Sequence, residues 1–151
     1  MLPLRRPPAL PDAGLLVGRL AVGVIFVAHG WQKVADTGHS GVAAGFDKLG
    51  IPLPDAAAVF CSYVELIGGI ALILGLLVPV AGVLIALNMA GAFWYAHRGQ
   101  GLFLDEGGFE YVMVLGAAAL LFAATGAGRF SLDALLWGRR ENAPDRESVA
   151  A

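Results

Sequence analysis

The sequence is poor in charge and nearly devoid of cysteine, and both shortages narrow what the protein can be. Asp, Glu, Lys and Arg make up 15% of its 151 residues, against about 25% in an ordinary globular domain. The net charge of −2 provides no basic footprint, so nucleic acid is excluded as a partner. The single cysteine, Cys61, can form neither an internal disulfide nor a CxxC redox pair. Thiol–disulfide chemistry carried by this chain alone is thereby excluded. The sequence shows no metal-ligand cluster, nucleophile dyad or nucleotide loop, so no metal is assigned and no intrinsic cofactor is evident. Apolar residues take the remaining space, at 58% against about 45–50% in globular domains.

That surplus is organised into long runs. From Leu66 to Ala96 there is no Asp, Glu, Lys, Arg or His, a stretch too long for one crossing of about 20 residues. Gly75 and Pro79 break it, because proline disfavours helix at the residue before it. The reading is therefore four spans, at about 14–34, 55–76, 79–97 and 109–125. A soluble bundle would show a charged outer face on each helix, and segments 66–96 and 111–128 have none. They also lack barrel-like alternation, so all-α spans are implied. Arg5 and Arg6 before the first apolar stretch resemble a signal peptide, but Arg19 interrupts that stretch and no A-x-A site follows. A retained first span is the better reading. Pairing is expected to be tightest between spans two and three, whose connection is shortest.

The division is an N-terminal tail at 1–13, a four-helix transmembrane domain at 14–137 and a polar C-terminal tail at 138–151, expected to be disordered. Arg5, Arg6, Arg129, Arg139, Arg140 and Arg146 flank one side. Lys33, Lys48 and Arg98 flank the other. By the positive-inside rule both termini are cytoplasmic. Val42, Phe46 and Leu49 suggest a short interfacial helix between spans one and two. Trp31, Trp94 and Tyr95 fit an aromatic belt.

Ionisable residues at membrane depth are the first candidates for function. In span one, Arg19, Gly23, Phe26, Gly30 and Lys33 form one helical stripe, which should face other helices. In span two, Glu65 shares a small polar face with Cys61, Ser62, Gly68 and Gly69, as helix contacts in bilayers prefer. Arg19 and Asn88 are candidates to satisfy Glu65. Glu65 and Arg19 together read as a buried polar pair able to relay a proton. His29, Lys33, His97 and Glu110 converge in depth near the outer ends of their spans. With Asn88 they form a candidate pocket for a quinone or another small ligand. The blander readings are a polar contact that only locks the bundle and interfacial side chains that snorkel to water.

Several segments, in order, resemble the DoxX family of small bacterial membrane proteins. They are GRLAVGVIFVAHGWQK at 18–33, GFDKLGIPLP at 45–54, ELIGGIALILGL at 65–76, GGFEYVMVLGAAAL at 107–120 and GAGRFSLDALL at 126–136, with Asn88 between. The resemblance implies a multi-pass four-helix bundle in the bacterial plasma (inner) membrane. It also implies association with quinone-linked sulfur oxidation, or with membrane redox complexes that handle oxidative and thiol stress. Arg19, His29, Lys33, Glu65, Asn88 and Glu110 carry over.

The leading expectation is a subunit of a redox-associated membrane complex, quinone being the candidate cofactor. Any oxidoreductase activity would belong to the complex. A non-enzymatic scaffold or assembly factor is the alternative. A small-solute transporter formed by an oligomer is the third reading, and it lacks the paired discontinuous helices transporters use. The expected partners are the lipid bilayer, proteins of a redox complex and further copies of the chain.

Overall fold

The computed structural model describes residues 9–137, and every regular element among them is helical. The C-terminal tail at 138–151 and residues 1–8, with the arginines used to orient the chain at positions 5, 6, 139, 140 and 146, lie outside the described residues.

Helix α1 spans Ala9–Trp31 and continues as one widened π turn over Gln32–Asp36. It begins earlier than the sequence suggested, which corrects the tail reading of 9–13. Pro11 falls in the first turn, where its missing N–H has no intrahelical partner to lose, and Asp12 there suits the positive end of the helix dipole. The short helix α2 covers Gly38–Lys48 and buries Val42 and Ala43 against Ala58. Helix α3 covers Pro54–Leu74. Helix α4 covers Val78–Ala92 and also ends in a π turn, Phe93–His97. A 3-10 turn at Leu104–Glu106 leads into α5, Glu110–Thr125, and α6 covers Leu132–Leu136.

Leu10–Asp36, Pro54–Leu74 and Val78–His97 are each long and apolar enough to cross a membrane. Helix α5 is apolar but shorter, at 16 residues. The outward faces carry Val24, Phe60, Ile67, Leu87, Val114, Leu120 and Leu121, all exposed. Such a surface belongs in lipid rather than water, and a membrane location follows.

The reversal between α3 and α4 occupies three residues. Gly75 is left-handed at φ 67°, and the Leu76 N–H bonds back to Ala71 O at 2.9 Å, closing α3. Leu77 is also left-handed, at φ 50°, which a residue with a Cβ adopts at a cost of about 1–2 kcal/mol. Asp133 offsets that cost. Its carboxylate accepts from the N–H groups of Leu77 (2.7 Å) and Val78 (3.1 Å), the first free donors of α4. Its own N–H donates to Gly75 O at 2.9 Å. Residues 131–136 are thereby fastened to the turn.

The closest helix pairs are α1 with α3 and α4 with α5, while α3 and α4 touch less. The expectation that spans two and three pair most tightly is therefore wrong, and the reason is glycine. A Cβ on Gly23 would fall 2.8 Å from Gly69 O, one on Gly69 would fall 2.8 Å from Gly23 O, and one on Gly30 would run into the Leu66 backbone. Gly82 is pressed in the same way against Ala123 on α5. Backbones that approach this closely gain dispersion contact along their length, which holds helices together in lipid; a short connection adds none. Phe26, Leu72, Ile85, Met89, Leu115 and Phe122 fill the core between the two pairs.

Candidate functional site

The predicted stripe on α1 faces inward as expected, with Arg19, Gly23, Phe26 and Gly30 buried and Lys33 half-buried. The polar face of α3 is likewise turned in, with Ser62, Glu65 and Gly69 buried. The register between the two helices decides which polar groups meet. Gly23 lies opposite Gly69, and Gly30 lies opposite Leu66. Lys33 therefore arrives beside Glu65, and Arg19 arrives beside Leu72.

Arg19 and Glu65 consequently do not pair, which corrects the expected contact. The fully buried Arg19 guanidinium donates to Leu72 O (2.8 Å) and Phe130 O (2.6 Å). It is level with Leu72, about 10 Å along α3 from Glu65 at 1.5 Å per residue. It ties α1 to the end of α3 and to the segment before α6.

Glu65 has other partners. Its Oε2 accepts from Lys33 Nζ at 2.5 Å, an ion pair with Glu65 only 5% exposed and Lys33 22% exposed. Its Oε1 accepts from Asn88 Nδ2 on α4 at 3.1 Å and from Cys61 Sγ, one turn earlier on α3, at 3.5 Å. The carboxylate is thus held by donors from three helices, as a buried charge requires. The Asn88 contact was among those expected. The Lys33 contact was not, because Lys33 lies beyond the C-terminal end of α1 and reaches inward from the π turn. Turns of this kind recur at functional sites.

Above this group lies a cavity of about 420 Å³, within the usual range of small-molecule sites, about 300–1,000 Å³. Its walls are mostly apolar, including Phe26, Phe46, Ile51, Phe60, Leu87 and Leu115. Five predicted site residues line it: His29, Lys33, Glu65, Asn88 and His97. His97 is fixed by its Nδ1, 2.7 Å from Gly107 O. A carbonyl only accepts, so Nδ1 carries the proton in this contact and Nε2 is the nitrogen left for other partners. His29 Nε2 lies 3.5 Å from Tyr111 Oη, with the two rings edge to face.

The other two predicted residues lie outside the cavity. Arg19 is at the opposite end of the bundle. Glu110 accepts the Leu104 N–H at 2.8 Å and fixes the loop before α5. The sequence reading missed Tyr111, Tyr95, Phe60 and Cys61 as lining residues. Tyr111 was legible in principle, since it shares a helix face with Leu115 at i+4; charge drew attention to its neighbour Glu110 instead. Among the described residues, no three His, Cys, Asp or Glu side chains converge as a metal site.

These features define a small helical membrane protein with a ligand-sized cavity floored by a buried ion pair. The profile of the DoxX family matches residues 14–98, and the chain belongs to that family. It is 31% identical over 131 residues to "Putative oxidoreductase CatD" of Bacillus subtilis, covering 87% of this chain and 92% of that one. It is 29% identical over 131 residues to "Inner membrane protein YqjF" of Escherichia coli, covering 84% and 95%. It is 34% identical over 127 residues to "Uncharacterized membrane protein Rv3486" of Mycobacterium tuberculosis, covering 76% of each. No solved structure is a significant match.

Proposed function

We propose that the protein is a four-span subunit of a redox-associated complex in the bacterial plasma membrane, and that its cavity holds a quinone head group. The observation that carries this reading is the cavity itself. It joins apolar walls to a floor of Glu65, Lys33 and Asn88, with His29, His97 and Tyr111 at its sides. A quinone ring needs apolar faces against it and donors for its carbonyl oxygens, and this lining offers both. Bound there, quinone would supply two-electron, two-proton chemistry, with the electrons coming from a partner subunit. The chain's own part is to orient the ring and handle protons. Lys33 and Tyr111 are donors within the lining, and Glu65, acting through Lys33, is the group that holds or passes a proton. Arg19, placed elsewhere, acts on the fold.

The fourth crossing in this reading is α5. It packs along α4, and its 16 residues give about 24 Å, a mismatch the bilayer accommodates by thinning at modest cost. Both termini then lie in the cytoplasm, and the cavity opens toward the outer half of the membrane. Two relatives support the reading by name, one named "Inner membrane protein" and one "Putative oxidoreductase".

The test is purification in mild detergent, followed by quinone extraction, identification of co-purifying proteins and titration with a tail-less quinone. Bound quinone, and about tenfold weaker binding in Glu65→Gln or Lys33→Met, support the proposal. Binding unchanged in both variants would sink the proton role. A partner that leaves the membrane when the protein is deleted, with no quinone bound to the purified chain, would establish the scaffold reading instead.

A further inference from the structure

A second hollow of about 350 Å³ lies between α3 and α4 and is apolar throughout. On α3 it runs from Val59 and Phe60 past Ile67 and Gly68 to Ala71; opposite, it runs from Leu77 in the turn along α4 past Ala81 to Leu84. From Phe60 to Ala71 is about 16 Å of helix at 1.5 Å per residue. Its rims are exposed, with Ile67 at 60% and Val80 at 57%. Gly68, with no side chain, deepens its floor where a Cβ would press on Ile85. Two observations join this groove to the cavity described above. Phe60 lines both, and on α4 Leu84 of the groove lies one turn from Leu87 of the cavity. The cavity holds the polar groups, and the groove leads from it along the lipid face toward the other end of the bundle.

A polar chamber that drains into a long apolar groove matches one ligand shape, a compact polar head on a long hydrocarbon tail. Resting on the quinone reading of the chamber, we propose that the α3–α4 groove is the seat of the isoprenoid tail of a long-chain quinone, with Phe60 at the junction of ring and tail. The groove then sets the tail-length preference of the site. It also lets the ring enter sideways from the bilayer, without the tail ever leaving hydrocarbon.

The test compares two probes, a tail-less quinone and the same ring with a tail of several isoprene units, on the intact protein in lipid nanodiscs. Ile67→Trp and Leu84→Trp place large rings in the groove from half-exposed or exposed positions and leave the chamber untouched. The tailed quinone should bind at least tenfold tighter than the tail-less one. That factor corresponds to about 1.4 kcal/mol, which must come from closer packing in the groove than in lipid, since the tail starts from hydrocarbon. Each Trp variant should remove this advantage and leave tail-less binding unchanged. A diazirine carried on the tail should crosslink the wild-type protein at Ile67, Val80 or Leu84, an arm that needs no variant to fold.

If the tail-less quinone binds but the tail adds nothing, or crosslinks elsewhere, the groove proposal is overturned and the quinone reading survives. If neither quinone binds, both fall. If a phospholipid with the same diazirine on its acyl chain crosslinks equally well and is not displaced by the tailed quinone, the groove is a general lipid site and the proposal is overturned.

Discussion

Replacing Lys33 by Met removes the cation from a carboxylate that is only 5% exposed. Breaking one side of a buried ion pair costs about 3–5 kcal/mol, because the remaining charge is left uncompensated. Glu65 keeps Asn88 and Cys61 as donors, so the lower end applies, about 3 kcal/mol. The opposite change, Glu65→Gln, should cost less. Lys33 is 22% exposed at the C-terminal end of α1 and can swing its ammonium to the interface, and a Gln amide oxygen still accepts from Asn88. About 1 kcal/mol is expected for that variant, the worth of one ordinary hydrogen bond. The double variant should be more stable than Lys33→Met alone, since it buries no unpaired charge. The four proteins form a double-mutant cycle, measurable by reversible unfolding in mixed micelles. Equal losses in the two single variants would refute the asymmetry argued here, and a double variant that loses their full sum would show the pair to be uncoupled.

Gly30→Val should prevent α1 from closing on α3, since even its Cβ collides with the Leu66 backbone. A loss above about 3 kcal/mol, or failure to fold, is expected in the same unfolding assay, whereas Gly14→Ala, with nothing within 4 Å, should be neutral or gain up to about 1 kcal/mol. Asp133→Ala should free the α4 N-terminus and cost about 1 kcal/mol; hydrogen exchange should accelerate at the Leu77 and Val78 amides while those of α5 stay protected. Arg19→Lys should loosen the segment around Phe130, because one ammonium replaces a guanidinium that reaches two carbonyls; limited proteolysis between Gly126 and Ser131 should quicken. For the topology, a cysteine in place of Gln100, with Cys61 changed to Ala, should react with an impermeant thiol reagent added outside intact cells, and labelling only after permeabilisation would reverse the proposed orientation.

Helix placement was readable because its causes are local. Proline at 54 and 79 and glycine at 75 mark where helices must start or stop, and the apolar runs between them have only one way to satisfy their backbone in lipid. The inward faces of α1 and α3 were readable for the same reason, since the spacing of small and polar residues fixes a face. Which residue meets which was not readable. The Lys33–Glu65 pair depends on how far α1 slides along α3, and that is set by two glycine contacts that hydrophobic periodicity does not encode. Both Arg19 and Lys33 lie on the correct stripe, and depth alone favoured the wrong one. The role of Asp133 was hidden more deeply, because it acts on a turn 55 residues away, and no spacing rule links them.

That distance has a consequence for how the protein is made. Residues 130–133 are translated after all four apolar helices, yet they supply the second acceptor for Arg19 and the cap of α4. Until they emerge from the ribosome, a buried guanidinium lacks one of its two carbonyls and a left-handed leucine lacks its support. The bundle can insert helix by helix, but it locks only when synthesis has passed Asp133. A chain released early would carry every apolar helix and still be unfinished, its first helix unsecured at the Arg19 end, and the cell's membrane proteases would have a physical basis for telling it from a complete one.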